Sequence, residues 1–124
     1  MNKYLNKKTE VDGILFDSRK EAKYYLYLKS LEKAGEICNL RRQVSYQVIP
    51  AVYREEVVQL KTKTKTVSRC LSKAAHYVAD FVYILPNGEE VVVDVKSDIT
   101  RKNAEYRLKK KMMLAFNGIE IQEV

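Results

Sequence analysis

The sequence predicts a single α/β domain, with a mixed central β-sheet flanked by helices in the core order α-β-β-β-α-β. Three observations carry that expectation. Two runs rich in β-branched and aromatic residues, Tyr77 to Leu85 and Val91 to Lys96, read as neighbouring strands joined by Pro86, Asn87 and Gly88. Apolar residues at helical spacing follow Ser18 and again follow Asn103. A short apolar run at Ile119 and Ile121 comes after the second helix, and strand, helix, strand in that order implies a parallel crossover.

Along the chain, residues 1–10 are polar and basic and read as a loose arm. Residues 11–16 are turn-like and lead into a helix that Ser18 can cap, with Glu21 at the capping-box position; Asp17 is an alternative acid at the same helix start, or the true cap. Ala22, Tyr25, Leu26, Leu28 and Leu31 give that helix a broad apolar face, and Gly35 stops it. Residues 37–52 read as one strand or two, ending near Pro50. Residues 54–73 read as a basic ribbon or flap, with strands at 57–60 and 62–67. Lys61, Lys63 and Lys65 alternate with threonines, so an extended strand would project all three to one side. Such a row either protects a sheet edge or lies along a phosphate backbone. The last helix, from about Asn103 to Phe116, is expected to bury Ala104, Leu108, Met112 and Ala115 and to end at Asn117 and Gly118.

A chain of 124 residues with 46% hydrophobic content suits one folded domain with one core. No apolar run approaches the ~20 residues of a membrane span, and the N-terminus has no signal-type stretch. The expectation is a cytoplasmic protein with no membrane partner. Cys38 and Cys70 are isolated and read as reduced thiols, neither a disulfide nor a zinc site. The net charge of +7 favours polyanionic partners, nucleic acid first. Residues 100–111 carry Arg101, Lys102, Arg107, Lys109, Lys110 and Lys111 against Glu105 alone.

Asp80 and Asp94 carry the chemistry. Acids in apolar strands are costly to bury unless something pairs with them. A divalent metal ion would do so, with Lys96 in the same cluster. A two-residue type I′ turn on Asn87 and Gly88 would put the two acids on opposite faces. Pro86 instead suits position i+1 of a type I turn, with Gly88 left-handed in a G1 bulge. That three-residue loop pairs Leu85 with Glu89 and sets Asp80 opposite Asp94, with Cβ atoms ~4.5–5.5 Å apart. Lys96 shares the face of Asp94. Tyr77, Ala79, Phe81, Tyr83, Val91, Val93 and Val95 then fill the core side. Two carboxylates and an ammonium group on one patch read as a metal-dependent phosphodiesterase site. His76, the sole histidine, reads as structural or surface-exposed.

This order of elements and residues resembles the PD-(D/E)xK nuclease superfamily, the restriction-endonuclease-like fold. Asp80 matches the first acid, and Asp94-Val95-Lys96 matches the (D/E)xK element, with Asp for the commoner Glu. The chain is more similar still to small phage-encoded, Holliday-junction-resolvase-like proteins, over nearly its whole length. The similarity lies in residues 13–18, Glu21-Ala22, Gly35-Glu36-Ile37, Gln43, Tyr77, Ala79-Asp80-Phe81, Tyr83, Asp94-Val95-Lys96, Thr100, Tyr106, Lys109 and Lys111. Ser97 stands where that family has glycine.

The resemblance implies hydrolysis of DNA phosphodiesters, at branched DNA such as Holliday junctions, by a two-fold homodimer in a host cytoplasm. Asp80, Asp94 and Glu21 would hold Mg²⁺, with Mn²⁺ as a substitute, and Lys96 would orient the attacking water or stabilise charge. Glu21 has a structural alternative in the capping box. Gln43 reads as an accessory residue or a satisfied strand amide, and Tyr106 as packing under the site. Lys61, Lys63, Lys65, Arg101, Lys109, Lys110 and Lys111 are the expected DNA contacts. The alternatives are a nuclease for flaps, ends or duplex, and a non-catalytic basic DNA-binding module.

Overall fold

A computed structural model describes residues 8–124. The expected arm therefore lies mostly outside the described residues. Its last part is ordered differently from the expectation. Thr9–Val11 is a strand, β1, paired antiparallel with β2, Ile14–Phe16. Asp12 and Gly13 between them have φ of 53° and 76°, as a two-residue type I′ turn requires.

Helix α1 spans Arg19–Lys33. Ser18 is its N-cap, and Ser18 Oγ accepts the Glu21 N–H at 3.1 Å. Ala22, Tyr25 and Leu28 are buried, whereas Leu26 is exposed. The apolar stripe is narrower than expected because Leu26 stands about 100° around the helix from Tyr25.

The central sheet runs β3-β6-β7-β8. Residues 38–49 form a single strand β3 (Cys38–Ile49), followed in this sheet by β6 (Ala75–Ile84), β7 (Glu90–Asp94) and β8 (Ile121–Glu123). The first three pair antiparallel and β7 pairs parallel with β8, so the sheet is mixed. The crossover from β7 to β8 runs through a short helix α2 (Asp98–Arg101) and α3 (Ala104–Asn117). On one face of the sheet Phe81, Tyr83, Val91 and Val93 pack with Phe16, Ala22, Tyr25 and Leu28. On the other face Tyr77, Ala79, Val82 and Val92 pack with Tyr106 and Met113 of α3. The fold is an α/β domain with a mixed sheet between helices.

The hairpin between β6 and β7 has the three-residue loop. The Leu85 N–H donates to Glu89 O at 2.9 Å, the Gly88 N–H donates to Leu85 O at 2.8 Å, and Gly88 has φ of 88°. Pairing of Phe81 with Val93 and Tyr83 with Val91 places Asp80 opposite Asp94 when continued by one residue.

Helix α3 is rotated relative to expectation. Tyr106 and Met113 are its buried residues, while Leu108 is 55% and Phe116 68% exposed. Ala104 and Ala115 are exposed with Leu108. Strands β4 (Val52–Gln59) and β5 (Thr64–Ser72) form a separate two-stranded ribbon. The Leu60 N–H donates to Lys63 O at 2.8 Å and closes its tip. Lys61 is thus in the turn and Lys63 beside it, and Lys65 alone of the three is in a strand. The expected one-sided row of lysines is replaced by a basic tip. Among the described residues no helix is long and apolar enough to cross a membrane.

Candidate active site

Strand β6 changes face at Asp80. Regular alternation would put Tyr77, Ala79, Phe81 and Tyr83 on one side. Instead Tyr77 and Ala79 face α3, and Phe81 and Tyr83 face α1. Across the β3–β6 ladder, Arg42 pairs with Phe81 and Val44 with Ala79. Gln43, between them, has φ of 50°, a left-handed conformation uncommon for a residue other than glycine. Both strands are therefore deformed at the same level.

That deformation lets carboxylates replace ladder partners. The Asp80 N–H donates to Asp94 Oδ1 at 3.3 Å, and the Val95 N–H donates to Asp80 Oδ2 at 2.9 Å. Each aspartate accepts an amide of the other strand. The carboxylates then diverge. Asp94 is fully buried, and the Tyr77 hydroxyl donates to its Oδ2. Lys96 Nζ lies 3.8 Å from Asp94 Oδ1 and 5.2 Å over the Tyr106 ring. Burial pushes the Asp94 carboxyl up to about 6, against the opposing Lys96 charge and the Asp80 amide.

Asp80 faces the other way, into a cavity of about 210 Å³ at the end of the sheet. Asp17, Lys20, Glu21, Lys96, Ser97 and Thr100 complete its walls with Ser18 and Val95. Lys20 Nζ donates to Lys96 O at 3.1 Å and ties the first turn of α1 to the end of β7. The Glu21 carboxylate turns away from the cap and toward the cavity. Gln43 Nε2 donates to Glu21 Oε1 at 3.4 Å and to Asp80 Oδ1 at 3.3 Å, bridging the two acids. Burial first, then repulsion from Asp80 and Asp17, raises the Glu21 carboxyl to about 7; Arg42 and Lys96 oppose this. The cap is Ser18, so Asp17 is left to line the cavity.

The structure thus joins Glu21, Asp80, Lys96 and Asp17 at one cavity, with Gln43 bonded to two of its acids and Asp94 immediately behind it on the α3 side. The residues that spacing did not single out for this site are Lys20, Arg42 and Tyr77. Arg42 stacks on Phe16 with its guanidinium 4.5 Å from the ring centroid. Tyr77 was readable as core; its contact with an acid at the next strand was not.

Tyr106 lies on the far side of Asp94. Its hydroxyl donates to Glu123 Oε2 at 2.9 Å, and Lys110 Nζ donates to Glu123 Oε1 at 2.7 Å. Burial and that carboxylate raise the Tyr106 pKa. Lys109 pairs with Glu105 at 3.2 Å. Arg101, Lys110 and Lys111 line a separate cavity, and Lys61, Lys63 and Lys65 lie at the tip of the separate β4–β5 ribbon.

Among the described residues, no group of three or more His, Cys, Asp or Glu side chains is gathered to hold a metal ion. Glu21 and Asp80 form the bridged pair, and Asp94 is spent on Tyr77 and the Asp80 amide. Two carboxylates and waters remain a suitable donor set for Mg²⁺, which prefers hard oxygen ligands and retains several waters.

Fold and site together define a small α/β domain with a carboxylate-lined cavity at the end of a mixed sheet. The chain belongs to the family described as "Protein of unknown function (DUF1064)", which it matches over residues 1–122. No curated protein and no solved structure matches it.

Proposed function

We propose that the protein is a Mg²⁺-dependent endodeoxyribonuclease of the PD-(D/E)xK type, acting on branched DNA as a two-fold homodimer. The observation that carries this reading is the cavity in which Glu21, Asp80 and Lys96 converge, with Asp94 pinned behind them. Glu21 and Asp80 would hold the metal, which when bound supplies charge stabilisation and a nucleophile at neutral pH. Gln43 fixes the spacing of those two carboxylates. Asp94 holds the Asp80 amide and faces the Lys96 ammonium, so it orients rather than opens onto substrate. Lys96, half-buried between Asp94 and the cavity, is placed to steady charge on a phosphate. The net charge of +7 and the basic ribbon tip favour a polyanion outside this cavity. Two strands cut symmetrically require two sites, which a two-fold dimer supplies. The cavity and the charge suit DNA in a host cytoplasm as the substrate.

The test is cleavage of a labelled four-way junction beside a matched linear duplex, in Mg²⁺ or EDTA, for wild type, Asp80→Asn and Lys96→Ala. Symmetric Mg²⁺-dependent cuts confined to the junction and lost in both variants support the proposal. Cutting of both substrates keeps the site and moves the substrate to duplex, flaps or ends. A second reading, a non-catalytic DNA-binding module, is favoured by the lack of a three-acid cluster among the described residues. Binding of the junction without cleavage in any divalent metal would select it.

A further inference from the structure

A second cavity, of about 310 Å³, lies beside the first and has the opposite charge. Arg101, Arg107, Lys110 and Lys111 line it, with Glu123 as its one acid. Tyr106 and Leu114 complete the wall. Glu123 is already engaged twice, by the Tyr106 hydroxyl at 2.9 Å and Lys110 Nζ at 2.7 Å. Those two bonds hold the Glu123 carboxyl below its ordinary range and fix it as an anion, so the cavity retains an excess of positive charge.

The two cavities are linked in two places. Thr100 lines the acidic cavity and Arg101, next in the chain, lines the basic one. Tyr106 walls the basic cavity, and its ring carries the Lys96 ammonium at 5.2 Å. Helix α3 is rotated so that its Tyr106–Met113 side meets the sheet. That rotation leaves Arg107 and Lys111, one turn apart, exposed at the cavity rim.

Resting on the nuclease reading above, we propose that this basic cavity is a phosphate subsite for the DNA strand that enters the active site. It would hold a phosphate flanking the scissile one, through charge-assisted bonds from Arg107 and Lys111. An internal phosphodiester and a terminal phosphate share this chemistry. A strand laid from one cavity to the other passes from cations that grip it to carboxylates that act on it. The subsite positions the strand and takes no part in bond breaking.

The test is binding without cleavage, by fluorescence anisotropy of a labelled duplex and a labelled four-way junction in EDTA across a salt series. The variant is Arg107→Glu with Lys111→Glu, both exposed positions. The control is Lys23→Glu with Lys33→Glu, exposed residues of α1 that change net charge equally. A phosphate subsite predicts that the variant binds about tenfold or more weakly than the control, with a salt slope smaller by about 1. Binding equal to the control overturns the subsite while leaving the nuclease reading intact. Failure of the wild type to bind either DNA removes both. Duplexes with and without a 5′-phosphate assign the source: equal affinity means an internal phosphate, and a preference for the phosphorylated end means a terminal one.

Discussion

Replacing Glu21 by glutamine should make the protein more stable and less able to bind metal, and the gain should depend on pH. The Glu21 carboxyl is held at about 7 in the fold, against 4.5 ordinarily, chiefly by burial and then by Asp80 and Asp17. Between those values the folded chain binds more protons than the unfolded chain, so stability falls as pH rises through the window. Fully converted, the shift corresponds to about 3 kcal/mol at pH 8. The carboxylate faces a water-accessible cavity, and solvent screening reduces this to roughly 1–2 kcal/mol. Glutamine has no charge to desolvate and can still accept from Gln43. Glu21→Gln should therefore raise the melting temperature by roughly 3–10 °C at pH 8. The gain should shrink to a small remainder near pH 5, where the folded wild type is itself protonated. Thermal melts of both proteins at the two pH values decide the matter. A gain equal at both, or a loss at pH 8, would refute the account of strained charge.

Three further outcomes follow from the same geometry. Tyr77→Phe removes the hydroxyl that donates to buried Asp94 and should cost about 1–3 kcal/mol, read from urea unfolding midpoints. Gly88→Ala meets no atom within 4 Å but must adopt φ of 88°, so it should cost about 1 kcal/mol or more through backbone strain alone. Mg²⁺ at a hundred times its dissociation constant should stabilise the wild type by about 2.7 kcal/mol in thermal melts, and Asp80→Asn should abolish that gain.

The hairpin was legible because its signal is local. Pro86, Asn87 and Gly88 specify a turn, the turn specifies a register, and the register sets Asp80 opposite Asp94. The orientation of the two carboxylates was not legible. Period-two reasoning assumes a regular pleat, and β6 breaks it at Asp80 opposite a left-handed Gln43. Helix α3 misled for another reason. Ala104, Leu108, Met112 and Ala115 form as good an apolar stripe as Tyr106 and Met113. The choice between them involves Glu123, seventeen residues after Tyr106, which accepts the Tyr106 hydroxyl. No window of helical periodicity contains that contact. The lysines at 61, 63 and 65 alternate in sequence, but the Leu60–Lys63 bond turns the chain between them. Glu21 was legible as a cap or a ligand. Its carboxylate bonds Gln43, which lies on another strand.

Asp80 carries two duties that substitutions can separate. Its carboxylate closes the end of the sheet by accepting the Val95 N–H at 2.9 Å, and it supplies charge to the cavity. On the opposite edge the parallel pairing with β8 continues past Asp94: the Val124 N–H donates to Asp94 O at 3.0 Å, and the Lys96 N–H donates to Val124 O at 3.2 Å. The Val95 amide, like the Asp80 amide opposite it, is thus served by a side chain rather than by a backbone carbonyl. Asparagine keeps an oxygen that can accept it, whereas alanine leaves the half-buried donor unsatisfied, at a cost of about 1–3 kcal/mol. Asp80→Asn should therefore match or exceed wild-type stability, since it also relieves the repulsion on Glu21, while Asp80→Ala should unfold at lower urea. Both should lose metal-dependent stabilisation. Equal stability of the two variants would mean that the carboxylate is not holding the strand end, and the paired exchange of amides between β6 and β7 would lose its structural meaning.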